Sequence, residues 1–213
     1  MKLLKKMFPC LIIPLLLWGC MPSMKKPQAI FVDPAFTAPM KVAVLPFENE
    51  SVDVEADAVY RELFYLGLQE KGYTVAPMED VDAALKGMGI SEGGQLGAYK
   101  KTDLQTKLNV DALFFGNLKE AKYLTVGIKK EKKAVTYAAL YNGDKKLWED
   151  EKTFSEKEFA LNPLSGLKKQ LATKLTEKAL KDYSGHPFYN HIQNCVYQLQ
   201  DTLPGQRVEK SGW

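Results

Sequence analysis

Apolar residues in the middle of this chain form short runs and spaced stripes in strand–helix–strand order, and further on they alternate with polar ones. Lys41-Val42-Ala43-Val44-Leu45-Pro46-Phe47 is almost continuously apolar, which predicts a strand covered on both faces, and Pro46 ends it. After a Glu48-Asn49-Glu50-Ser51 loop, Ala56, Val59, Leu63, Phe64 and Leu66 make a stripe that predicts a helix over 53–71, with Gly72 as its C-terminal cap. Tyr73-Thr74-Val75 predicts a short second strand stopped by Pro77, and Val81, Ala84, Leu85 and Met88 predict a helix over 79–88. The four glycines of residues 89–98 predict a mobile loop. Thr102-Asp103-Leu104-Gln105 fits a capping box opening a short helix to Leu108, and Asp111 to Gly116 predicts another apolar strand.

The pattern then changes. Tyr123 to Ile128, Val135 to Tyr141 and Lys146 to Phe154 are three strand segments, and Asn142-Gly143 predicts a hairpin between the last two. The basic cluster Lys129-Lys130-Glu131-Lys132-Lys133 reads as a solvated hairpin turn, or as a contact patch for an acidic partner, cell wall or lipid headgroups. Leu167, Leu171, Leu175, Ala179 and Leu180 predict a long amphipathic helix over 165–183. Residues 184–213 read as an appendage: Phe188, Ile192, Cys195, Val196 and Leu199 fall at helical spacing, and the chain from Leu203 onward reads as loose. The sum is an α/β domain over 41–183, a mixed sheet of about five strands packed with helices, plus a C-terminal helical appendage.

Lys2, Lys5 and Lys6, the apolar stretch Leu11 to Leu17 and the run Leu17-Trp18-Gly19-Cys20 have the parts of a secretory signal over 1–19. The stretch is too short for a bilayer core that needs about twenty residues, and Pro14 interrupts it. Because it ends in cysteine, the signal resembles the bacterial lipobox, which implies a diacylglyceryl group on Cys20 and cleavage after Gly19. Met21 is not the Asp that retains such proteins at the inner membrane, so the expected location is the outer membrane, facing the periplasm. Residues 20–40, with Pro22, Pro27, Pro34 and Pro39, read as a tether, although Ile30-Phe31-Val32 can dock on the body.

That signal alters the charge argument. The chain carries 29 Lys and Arg against 26 Asp and Glu, and removing Lys2, Lys5 and Lys6 leaves the two in balance. A balanced body has no basic field for phosphates, which argues against nucleic acid as a partner. Cys195 remains as a lone thiol, either buried and inert or paired between chains.

Residues with catalytic or ligating chemistry are sparse. His186, His191 and Cys195 are too few and too widely spaced for a zinc site. Gly87, Gly89, Gly93 and Gly94 miss the dinucleotide-loop spacing and follow a helix instead of a strand. Ser91, Ser155 and Ser165 lack a nucleophile elbow, and the acidic pairs Asp80 with Asp82 and Glu149 with Asp150 read as ordinary surface. Nothing calls for an enzyme, a cofactor or a metal. Aromatics gathered on the appendage, Tyr183, Phe188, Tyr189, Tyr197 and Trp213, point instead to a contact surface, with Phe188, Tyr189, Ile192 and Tyr197 as the candidate partner contacts.

Val42-Ala43-Val44-Leu45-Pro46-Phe47-Glu48-Asn49 resembles the first strand of domains related to the amino-terminal domain of TolB, shared by curli-secretion lipoproteins and lipoprotein activators of peptidoglycan polymerases. With Glu70-Lys71-Gly72-Tyr73-Thr74-Val75, Val110-Asp111-Ala112-Leu113, and Asn142-Gly143 leading to Leu147-Trp148, the set is most similar to a lipoprotein family known from genome-derived vaccine-antigen searches. The resemblance covers residues 41 to about 183 and implies a lipoprotein that works through contacts with envelope proteins. Two roles are open: an accessory or assembly component of a transport or export system, or an activator of a peptidoglycan synthase. A self-assembling ring, as in the curli-secretion relatives, would need an amphipathic strand pair to line a pore, for which Tyr123 to Tyr141 is the candidate.

Overall fold

Val42, Ala43, Val44 and Leu45 are all buried, because β2 (Lys41–Val44) lies at the middle of the structure with helices on both faces. The computed structural model describes residues 27–127, 129–159, 183 and 185–205. The expected signal with Cys20, nearly all of the helix expected over 165–183, and the end of the chain from 206 lie outside the described residues. Within them the fold is mixed α/β, a seven-stranded sheet in the order β1-β7-β6-β5-β2-β4, with β3 also paired to β5.

The parallel half is built from β2, β3 (Glu48–Asn49), β4 (Thr74–Val75) and the start of β5 (Ala112–Val126). Helix α1 (Ala56–Glu70) connects β2 to β4 across one face, while α2 (Met78–Lys86), a 3₁₀ turn (Gly93–Ala98) and α3 (Lys101–Leu108) cross the other. The alternation along β2 therefore feeds two cores. Val42 and Val44 join Phe47, Tyr60, Phe64, Phe114 and Trp148 under α1, whereas Ala43 and Leu45 join Val81, Leu85, Ile90, Leu96 and Leu104. The first core is a chain of tilted and edge-on rings, with centroids 4.6 Å apart for Phe47 and Tyr60 and 5.3 Å for Phe64 and Phe114. Each such pair contributes about 0.5–1.5 kcal/mol beyond burial.

Helix α1 ends as expected. Gly72 takes a φ of 87°, and the Tyr73 and Gly72 amides return to the carbonyls of Leu68 and Gln69, a Schellman closure. The antiparallel half is a three-strand meander of β5, β6 (Lys129–Asn142) and β7 (Lys145–Phe159). Its second turn has Gly143 at φ 56° in the first loop position, between the pair Asn142 and Lys145. At the far edge β1 (Phe31–Val32) pairs with Trp148 and Glu149, so the Ile30-Phe31-Val32 patch does dock on the body, and Lys145 pairs with Asp33 beside it.

Four expectations change. Asp111–Gly116 and Tyr123–Ile128 belong to one long strand through Val126, which accommodates an irregularity between Leu118 and Glu120. The lysine cluster at 129–133 is the first part of β6, not a turn; the chain reverses at Gly127, φ 59°. Cross-strand pairing of Lys133 with Glu120 and of Lys157 with Glu131, with Lys122 meeting Glu120 along β5, lets so charged a segment stay extended. The loop at 89–98 is anchored instead of loose: Glu92 and Gln95 form a reciprocal capping box, and Ile90 and Leu96 are buried. The box expected at Thr102 is absent, since α3 begins after Lys100 with no side-chain cap.

Gly93 shows how tightly that loop is fastened. A Cβ there would meet the Phe47 backbone at 2.4 Å, whereas one at Gly94 would meet nothing within 4 Å. Gly93→Ala is expected to cost about 1–3 kcal/mol, or about 2–4 °C of Tm per kcal/mol for a chain of this size. Gly94→Ala should leave the melting temperature close to that of the parent. Calorimetric melts of both variants check this pair.

Candidate functional site

Helix α4 (Tyr189–Thr202) has the amphipathic face expected of it, but that face is part of the main core. Ile192, Cys195, Val196 and Leu199 are buried against β6, β7 and α1, in one cluster with Phe64 and Trp148. Phe188 is buried as well, Tyr189 is half-buried, and Tyr197 is 55% exposed. Of the four expected partner contacts, Phe188 and Ile192 are therefore core residues, and Tyr197 is the one that presents a ring to solvent. Aromatic spacing cannot separate the two cases, because a helix docked on a sheet and a helix offered to a partner need the same stripe.

The contacts around α4 are close ones. The Gln200 amide donates to the Phe64 carbonyl at 3.2 Å beside Gly67, where a Cβ would have no room. Lys71 Nζ donates to the Gln200 carbonyl at 2.6 Å, and Thr202 Oγ1 to Asp150 at 2.6 Å. Asp150, expected on the surface, is buried and paired with Lys152 at 2.6 Å. The histidines tie elements together: His186 Nε2 lies 3.2 Å from Asp53 Oδ1 at the entry to α1, and His191 Nε2 lies 3.6 Å from Glu156. No group of three His, Cys, Asp or Glu among the described residues is arranged to hold a metal ion. Ser91 bonds Gln95 within the capping box, Asp82 is held by Arg61 at 2.7 Å, and Ser165 lies outside the described residues.

Past β5, the sheet face opposite α1 and α4 has no helix over it among the described residues. Alternate residues of the meander line it, and most of their charges are paired across strands. Lys119 meets Glu151 at 2.6 Å, and Glu149 receives both Lys146 and the Tyr137 hydroxyl, the latter at 2.7 Å. The Lys146 ammonium holds the Glu149 carboxyl below its ordinary range, and burial raises Tyr137. Where this face meets the 3₁₀ turn and α3 there is a cavity of about 340 Å³, with Phe115, Ala139, Tyr137 and Tyr141 on the sheet side and Leu96 and Tyr99 opposite. Lys101 reaches over it, its ammonium 4.7 Å from the Tyr141 ring centre and 5.7 Å from that of Phe115. A second crevice, of about 980 Å³, follows the carboxyl end of β2 and includes Glu48, Glu50, Asp57, Arg61 and Glu92. The sequence reading missed both cavities, because Phe115, Tyr137 and Tyr141 look like ordinary strand residues until the sheet shows which face lacks a cover.

A mixed sheet with a two-faced parallel strand, a long meander and a C-terminal helix packed on it defines a class of envelope-lipoprotein domains. Residues 34–188 match the family described as "Putative lipoprotein GNA1162-like", and the chain belongs to that family. Among solved structures, that of lipoprotein GNA1162 from Neisseria meningitidis superposes with a TM-score of 0.51 at 24% identity, covering 65% of this chain and 96% of that one. The PelC dodecamer from Paraburkholderia phytofirmans gives 0.45 at 14% identity over 81% and 94% of the two chains. The LpoB C-terminal domain from Salmonella enterica gives 0.41 at 12% over 57% and 86%. No curated protein matches the chain. No helix of the described residues is long and apolar enough to cross a membrane.

Cys195 is the free thiol of the described residues, buried with its S–H directed at the Ala134 carbonyl, 3.7 Å away. Burial pushes the thiol up to about 11, and it raises Tyr60 and Tyr73 from their ordinary values too. Groups whose folded pKa is raised support the fold below the unfolded value and lose that support as pH climbs toward the folded one. Native protein should therefore resist thiol reagents at pH 8 and react in denaturant. Its urea midpoint should fall between about pH 9, where an unfolded thiol ionises, and pH 11. Thiol-labelling rates and urea titrations across that range check both expectations.

Proposed function

We propose that this chain is an outer-membrane lipoprotein, anchored on the periplasmic side through lipid on Cys20, that acts by binding other envelope proteins. In this reading it is an accessory or assembly component of a transport or export system. Three parts divide the work: the lipid fixes location, the proline-rich tether over 20–40 gives reach, and the body recognises. Two acyl chains hold a protein to a membrane stably where one holds it marginally, so the lipobox at Cys20 supports permanent residence. Family membership supports the lipoprotein assignment.

The observation that carries the contact role is the meander face with no helix over it among the described residues, and its aromatic cavity beneath Lys101. Phe115 packs partly against the second core, and with Tyr141 beside it lines the cleft with aromatic surface that a partner can cover. Exposed Tyr197 on α4 adds a second place for a partner to touch. The role as activator of a peptidoglycan synthase uses the same surfaces and differs only in the partner.

Crosslinking in intact cells, followed by affinity purification and mass spectrometry, distinguishes these roles. Recovery of transporter or export subunits is the expected result, and recovery of a peptidoglycan synthase with stimulated glycan output would replace it with the activator role. Recovery of only further copies of the chain would move the function to a self-assembly.

A further inference from the structure

The cavity under Lys101 has a chemistry of its own, and we infer that it is a binding pocket for a short peptide segment of a partner protein, one carrying an Asp or Glu beside an aromatic side chain. The inference rests on the protein-contact reading above and names the chemistry of the contact. Its basis is a difference between Lys101 and its neighbours. Lys119 and Lys146 both reach the same cluster of rings, lying 5.3 Å from Tyr137 and 5.8 Å from Tyr141, but each is paired with a carboxylate of β7. Lys101 has two rings and no carboxylate within ion-pair distance among the described residues. A ring attracts an exposed ammonium weakly, and a carboxylate adds a charge-assisted hydrogen bond of greater strength. With Lys119 and Lys146 matched, the Lys101 ammonium is the cation at this cavity that an incoming anion finds without an ion-pair partner among the described residues.

The rest of the pocket selects what the anion is attached to. Phe115 and Tyr141, edge-on with centroids 5.6 Å apart, form an aromatic wall, and Ala139 leaves depth between Tyr141 and Tyr137. Leu96 and Tyr99 close the opposite side, with the Tyr99 hydroxyl fixed on the Met88 carbonyl at 2.7 Å. Its volume is at the small end of ligand sites, enough for a side chain or two. At the other end Glu48 is already engaged by the Asn117 amide at 3.2 Å, which keeps the pocket's own negative charge away from Lys101. Gly97 is on the rim, and a Cβ there would meet nothing within 4 Å. Bare backbone at a rim admits another backbone close by, which suits an extended segment better than a compact solute.

The test uses the full chain purified from membranes in neutral detergent, with acetyl-Glu-Trp-Gly-amide as probe and acetyl-Lys-Trp-Gly-amide as its charge-reversed control, in ligand-observed NMR titrations. The acidic peptide should bind with saturation transfer to its indole, and the basic one about tenfold more weakly or not at all. Lys101→Glu should abolish the preference, and Lys101→Arg should keep it. Gly97→Phe, which fills open space at the rim, should block the pocket while the melting temperature stays that of the parent. Equal binding of the two peptides, or binding indifferent to Lys101→Glu and Gly97→Phe, overturns the inference. So does binding of chitotetraose in the peptide's place, which would make the aromatic wall a glycan platform. If the peptide fails while the wild-type chain still crosslinks to envelope proteins in cells, the contact role stands and only the pocket is lost.

Discussion

Burial of β2 on both faces is the constraint on which the rest depends. Val42 and Val44 need one helix layer and Ala43 and Leu45 another, so the chain must cross the sheet on both sides before β5 can pair with β2. That requirement places α1 on one face and α2 with α3 on the other, and it seats Gly93 against Phe47. The meander has no such demand. The side under α1 and α4 is closed by apolar packing, whereas the other side carries cross-strand ion pairs beside the Phe115 and Tyr141 rings, each pair of modest worth because it is near water. Among the described residues the sheet is thus covered on both faces at its parallel half, and the cavity beneath Lys101 lies where that double cover ends.

The C-terminal helix links the two halves. It packs on β6, β7 and α1 together, and Gln200, Thr202 and Cys195 each bond a different element: Phe64 of α1, Asp150 of β7 and Ala134 of β6. Tyr73 adds a bond from its hydroxyl to the Pro204 carbonyl just beyond the helix. A buried polar group of this kind costs more to leave unpaired than it contributes when paired, so these bonds fix where α4 docks more than they stabilise the whole.

Much of the fold was legible in local pattern. The unbroken apolar run at 41–47, the stripe of α1 and the glycines at 72 and 143 each have one physical meaning, and the structure realises it. The failures occurred where a pattern has two meanings. The cluster from Lys129 to Lys133 looks like a turn because nothing local indicates a strand; the pairs of Lys133 with Glu120 and of Glu131 with Lys157 become visible only with the register in place. Thr102 to Gln105 matches a capping box that starts two residues too late, while the reciprocal pair, Glu92 and Gln95, is hidden among glycines. Phe188 and Ile192 read as contact residues because an amphipathic stripe does not say whether its cover is the same chain or another. Lys101 carried no signal in sequence at all, since what distinguishes it is the absence of a carboxylate that its neighbours have.

The proposed role is positional: a folded recognition body held at a membrane by lipid on one cysteine. An intact-mass measurement on the chain extracted from membranes tests it most directly. The predicted mass is that of residues 20–213 with a diacylglyceryl group and a further acyl chain, and Cys20→Ser should carry neither lipid and keep residues 1–19. A mass equal to the unprocessed, unmodified chain would contradict it.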